Sequence, residues 1–229
     1  WAGMKRTKEE FKTSFRHRTF GASFESEDYA FIDALDKPVA LWTNVLLEEG
    51  IHRNSLVHRK NVIEQHVMDL PDFNNKGAWA EKYADRLENI SEQSENLEEV
   101  KKILAKLKSQ DATNQYTIAI YEQVGALVEY NFKALKKIEA FDLAITADEE
   151  MKILFELQEL IQKFGTFRQE FEKVYSQSRI LNKPENYILD QDHHNHPANQ
   201  SVNFDWQFIS EILFLEKVNT HFKTKTVWQ

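Results

Sequence analysis

The chain has 229 residues, 41% hydrophobic and 29% charged, with 37 acidic against 29 basic side chains and a net charge of −8. That length predicts one or two domains able to bury a core without staples, and the acidic balance excludes a basic nucleic-acid-binding face. The absence of cysteine excludes disulfides and thiolate chemistry, and no run approaches the roughly 18 apolar residues of a membrane span.

The first residue is Trp1 rather than Met, so the chain reads as a piece of something longer or as a processed product. Thr7-Lys8-Glu9-Glu10 fits a capping box, in which the Thr hydroxyl and the Glu carboxylate each satisfy a free backbone N–H. It predicts a short helix over 8–20, stopped by Gly21, with Phe11, Phe15 and Phe20 set among Arg6, Lys12, Arg16 and Arg18. Acidic residues to Asp28 precede Tyr29, Phe31, Ile32 and Leu35. Pro38 then either kinks this helix or opens a second one, and the apolar pattern continues to Gly50. A further helix is predicted over 53–68, using Leu56, Ile63 and Val67. Pro71 and the pair Asn74-Asn75 end it.

Three long helices follow. Trp79, Tyr83, Leu87, Ile90, Leu97, Leu104 and Leu107 recur at helical spacing over 77–109. Tyr116, Ile120, Val124, Val128, Leu135 and Ile138 do so over 112–143. Leu154, Leu157, Ile161, Phe164, Phe171 and Tyr175 do so after a second Thr-x-x-Glu box at Thr146. Short breaks between amphipathic helices imply antiparallel neighbours. The expected fold is therefore all-α, an antiparallel bundle of three long helices with shorter flanking helices. Gly125 and Gly165 interrupt helix interiors, through a close helix contact or as tolerated glycines. The irregular segment 182–203 carries Pro184 and Pro197. Tyr187, Ile188 and Leu189, with Phe204 and Trp206 beyond, are expected to anchor it in an ordered form. A last helix over 205–222 uses Phe208, Ile209, Ile212, Leu213 and Leu215.

Little in the residues points to chemistry. Asp190, Asp192, His193, His194 and His196 are metal-ligand types, but their spacing matches no recognised ligand pattern. A hydrogen-bonded loop packed by Tyr187, Leu189 and Trp206 is the preferred reading, with no metal and no cofactor. His58 and His66, with His52 nearby, lie about 12 Å apart along one helix, too far to share an ion. Glu149, Glu150, Glu156 and Glu159 read as a solvated stripe rather than a carboxylate pair across a cleft. Phe164, Phe167, Phe171 and Tyr175 read as core. No nucleophile elbow, phosphate loop, HExxH or dinucleotide fingerprint occurs.

Three phrases nonetheless form a pattern. They are Asp69-Leu70-Pro71-Asp72 with Gly77-Ala78-Trp79-Ala80-Glu81-Lys82-Tyr83; Asn114-Gln115-Tyr116 with Tyr121-Glu122-Gln123-Val124; and Arg179-Ile180-Leu181-Asn182-Lys183-Pro184-Glu185 with Leu189-Asp190-Gln191 and Asp205-Trp206. Together they resemble the C-terminal helical region of bacterial glycoside hydrolase family 20-like, or β-N-acetylhexosaminidase-like, proteins. In that family a catalytic (β/α)8 barrel ends with a Trp and its last helix. Trp1 and the helix 8–20, with Arg18-Thr19-Phe20-Gly21, look like such an ending.

The resemblance implies that residues 1–23 close an upstream catalytic barrel of the same polypeptide and that 24–229 form a helical bundle domain. The family's catalytic Asp-Glu pair has no counterpart here, so the chain alone would be non-catalytic and would meet carbohydrate through its parent enzyme. It also implies a sugar-facing Trp1, a contact loop of Asp190, Asp192, His193, His194, His196 and Trp206, and a periplasmic or cell-surface location. The alternative is a freestanding helical interaction or scaffold module.

Overall fold

A computed structural model describes residues 6–21, 30–51, 60–109, 114–177 and 208–224. Among them are α1 (Lys8–Phe20), α2 (Ala30–Trp42), α3 (Lys60–Glu64), α4 (Ala78–Lys82), α5 (Ala84–Ser109), α6 (Gln115–Leu143), α7 (Ala147–Tyr175) and α8 (Ile209–His221). The expected all-α class holds. The only extended pairing among these residues is an isolated antiparallel bridge between Leu47 and Val67.

The helix ends follow local chemistry. Thr7 and Glu10 close the capping box of α1, with Glu10 Oε2 accepting from Thr7 N at 2.7 Å. Gly21, at φ 118°, returns its N–H to the His17 carbonyl. Asn114 caps α6 through Thr117 N at 3.0 Å, and Thr146 with Glu149 boxes the start of α7.

Three expectations are corrected. The helix through Pro38 is continuous, with the Pro ring buried, but it ends at Trp42 rather than running to Gly50. The carbonyls of Val45 and Leu47 are taken instead by Arg86 Nη1, at 2.8 and 2.6 Å, so no helical ladder uses them. Likewise, the helix expected over 53–68 stops at Glu64. Val67 and Met68 leave it because Met68 N bonds Leu46 O, and Lys217 Nζ donates to the carbonyls of both Val67 and Met68. The long helix expected over 77–109 is also interrupted at Tyr83, where φ −109° and ψ 21° set α4 off from α5.

The three long helices pack antiparallel, with α6 in the middle. Ion pairs run in opposite chain directions on α5 and α6: Lys108 meets Glu122 and Lys101 meets Glu129, both at 2.8 Å. On the other side, Lys137 of α6 pairs with Glu156 of α7, and the Tyr130 hydroxyl donates to the Leu160 carbonyl at 3.2 Å. Helix α2 lies against both α5 and α6. The buried apolar face of α6 includes Ile118, Val128, Phe132, Leu135, Ile138 and Phe141.

Helix α8 completes the core. Phe208 stands edge-on to Phe164, Phe167 and Phe171 of α7. At the other end Phe222 meets Phe141 and Phe73. The aromatic stripe of α7 is thus core, as the sequence predicts. Leu157 and Phe171 are both buried. Gly125 is buried, yet nothing lies within 4 Å of where a Cβ would stand, so no close helix approach explains it.

Candidate functional site

The densest polar constellation sits where α4, α5 and α8 hold the two extended segments around Leu47 and Val67. The Glu48 carboxylate accepts from the Tyr83 hydroxyl at 3.0 Å, from Asp69 N at 2.6 Å and from Lys82 Nζ at 3.2 Å. Lys82 also reaches Asp69 at 3.1 Å, and Lys217 reaches the same carboxylate at 3.4 Å. Trp79 Nε1 donates to the Asp69 carbonyl at 2.7 Å, and His221 Nε2 lies 2.7 Å from the Pro71 carbonyl. A carbonyl only accepts, so His221 carries its proton on Nε2 in this contact. Arg86 is buried; besides its two carbonyls it meets Glu49 at 2.8 Å.

These pairings set the charges. The Lys82 ammonium hydrogen-bonded to Asp69, with Lys217 adding to it, holds the Asp69 carboxyl below the usual carboxylate range. The Tyr83 phenol is pushed up, first by burial and then by the neighbouring Glu48 carboxylate. Lys82 is shifted upward, through its contact with Tyr83 and its bonds to Asp69 and Glu48. A cleft of about 490 Å³ opens beside this knot, between Leu41, Val45 and Ile51 on one wall and Lys82, Arg86 and Asn89 on the other. Its cations are already committed to carboxylates and backbone carbonyls. The carboxylates of Glu48, Glu49, Glu81 and Asp85 also line it, Glu48 paired with Lys82 and Glu49 with Arg86. Chemically, the arrangement fixes two chain segments against the helices.

A second polar cluster is enclosed in the core. The Glu211 carboxylate is buried, and its Oε1 accepts from Trp42 Nε1 at 3.1 Å and Asn131 Nδ2 at 2.9 Å. Its Oε2 has no partner among the described residues. The Tyr130 phenol is pushed up by burial, with the Glu211 charge adding to it. Asp142, also buried, accepts from Ala80 N through Oδ2 and from Gly77 N through its carbonyl, holding the start of α4.

The residues singled out in the sequence fare differently. Trp1, Asp190, Asp192, His193, His194, His196 and Trp206 lie outside the described residues, as do His52, His58 and the segment 182–203. His66 is half-buried in the turn before the bridge. Glu149 is spent on its capping box, Glu150 pairs with Lys76 at 2.8 Å, and Glu156 pairs with Lys137. Among the described residues no group of three or more His, Asp or Glu side chains is placed to hold a metal ion. No helix among them is long and apolar enough to cross a membrane.

The phrase from Asp69 to Tyr83 does converge: Asp69, Pro71, Trp79, Lys82 and Tyr83 all belong to the knot. Glu48, Arg86, Lys217, Asn131 and Glu211 were not anticipated. Glu211 carried a signal, since it stands alone as a charge within the apolar run Phe208–Leu215. Fold and site define an all-α domain with a structural polar knot. No protein-family model, curated protein or solved structure matches the chain.

Proposed function

We propose that this chain is a non-catalytic helical accessory domain of a glycoside hydrolase acting on N-acetylhexosamine-type sugars. The observation that carries the reading is the knot. The residues of the most extended family-like phrase gather there, and the polar groups of Asp69, Trp79, Lys82 and Tyr83 are engaged with backbone and with one another, those of Lys82 and Tyr83 at the edge of the cleft. That is the chemistry of a supporting domain, and it agrees with the missing Asp-Glu pair.

The test is hydrolysis of a chromogenic N-acetylglucosaminide. The isolated chain is expected to give no turnover above buffer, while a polypeptide that joins it to its coding sequence upstream is expected to be active. An upstream sequence without a barrel bearing adjacent Asp and Glu would remove the reading.

A second reading, a helical interaction module, is supported by a different feature. Leu143, Ile145, Met151 and Phe155 stand exposed around the turn from α6 to α7, Ile145 at 93%. In that case the upstream test is negative and the protein associates through this surface.

A further inference from the structure

Helix α7 has two unlike faces. Leu157, Ile161 and Phe164 are buried, Phe164 against Tyr130 of α6 and Phe208. On the opposite side Met151 and Phe155 are 69% and 61% exposed, and Gln158 and Gln162 continue their line at spacings of four, three and four. Two large apolar side chains exposed one turn apart on an outward face mark a contact surface. The stripe follows the seam spacing of a two-helix coil, in which flanking charges choose the partner and its direction.

Those flanking charges are exposed Asp148, Lys152, Glu159 and Lys163, in the order minus, plus, minus, plus. Read backwards, the order is plus, minus, plus, minus, so the edge is complementary to its own antiparallel copy. We propose that a second copy of this chain covers the stripe, the two α7 helices lying antiparallel about a two-fold axis between Phe155 and Glu156. In that register Lys152 faces Glu159 of the other copy, Asp148 faces Lys163, and each relation occurs twice. The two Phe155 rings meet beside the axis, with Met151 against the glutamines. A parallel pairing would turn the two charged edges away from each other and leave them without partners. An isologous contact of this kind closes at two copies. One helix pair is a small interface, so the dimer is weak and salt-sensitive. The proposal goes beyond the accessory-domain reading and does not rest on it.

Sedimentation of the whole chain tests it. The wild-type chain is expected to show a monomer–dimer equilibrium, and Phe155→Asp to run as a monomer with unchanged melting temperature. Lys152→Glu and Glu159→Lys alone are each expected to weaken the dimer about tenfold. The double variant restores it, because each reversed charge again meets its opposite across the axis. Within one helix positions 152 and 159 are about 10 Å apart, too far to rescue each other. Since the chain has no cysteine, Phe155→Cys supplies a second readout: it forms a covalent dimer on mild oxidation faster than Glu99→Cys on α5. A wild-type chain that stays monomeric up to its solubility limit overturns the proposal. So does a dimer that survives Phe155→Asp, or a double reversal as weak as its parents.

Discussion

At Glu211, one carboxylate oxygen is held by two neutral donors while the other has no partner among the described residues. Glu211→Gln keeps an acceptor for Trp42 and Asn131 and removes a buried charge, so it is expected to melt at or above the wild-type temperature. Glu211→Ala strands both donors and is expected to cost about 2–5 kcal/mol in chemical denaturation. Equal losses in the two variants would mean that the charge itself is needed. Gly125 offers the opposite case, a helix-interior glycine with open space beside it. Gly125→Ala is expected to raise stability by about 0.5–1 kcal/mol, read as a higher denaturation midpoint. Glu129 gives a pH prediction. Burial alone would raise its carboxyl, but the bonds from Lys101 and Lys133 hold it below the 4.5 of an ordinary glutamate. A lowered folded-state value means that the contribution is present above pH 4.5 and is lost as pH falls through the folded-state value. Glu129→Gln should therefore flatten stability against pH on that acid side and leave the slope near neutrality unchanged.

At the scale of single elements, α7 separates the two kinds of apolar residue. Leu157 is 2% exposed, and Leu157→Ala is expected to cost about 2–5 kcal/mol. Two residues away, Phe155→Ala should leave the monomer's melting temperature nearly unchanged. Circular dichroism melts of the two variants check both. The same contrast explains which elements were legible in the sequence. Thr7 with Glu10, Gly21, and Thr146 with Glu149 act within a turn of the ends they set, and those ends were readable. The segments 43–51 and 65–68 have helical periodicity but lose their carbonyls to Arg86 and Lys217, about 40 and 150 residues away in the chain. No local pattern announces such a competitor. The core cluster is equally remote, since Trp42 and Asn131 stand 169 and 80 residues from Glu211. Only the isolated charge in an apolar run hinted at it.

Across the whole molecule, α6 is the shared neighbour: α5 and α7 each pack on it, and each is adjacent to it in sequence. Helix α8, by contrast, reaches back to the opposite end of the chain, tied by Lys217 to Val67 and Met68 and by His221 to Pro71, across some 150 residues. Contacts between sequence neighbours need little loop closure and form early; those across long separations form late. The α5–α6–α7 hairpins should therefore assemble first, and the docking of α8 should be the last event on the way in and the first on the way out. Lys217→Met removes ties made only in that last event, so it should speed unfolding while leaving the folding rate nearly unchanged in stopped-flow measurements. In time as well as in space, α8 serves as the latch of this molecule: its release would open α7's aromatic row and the Glu211 cluster to water while the three long helices still hold together.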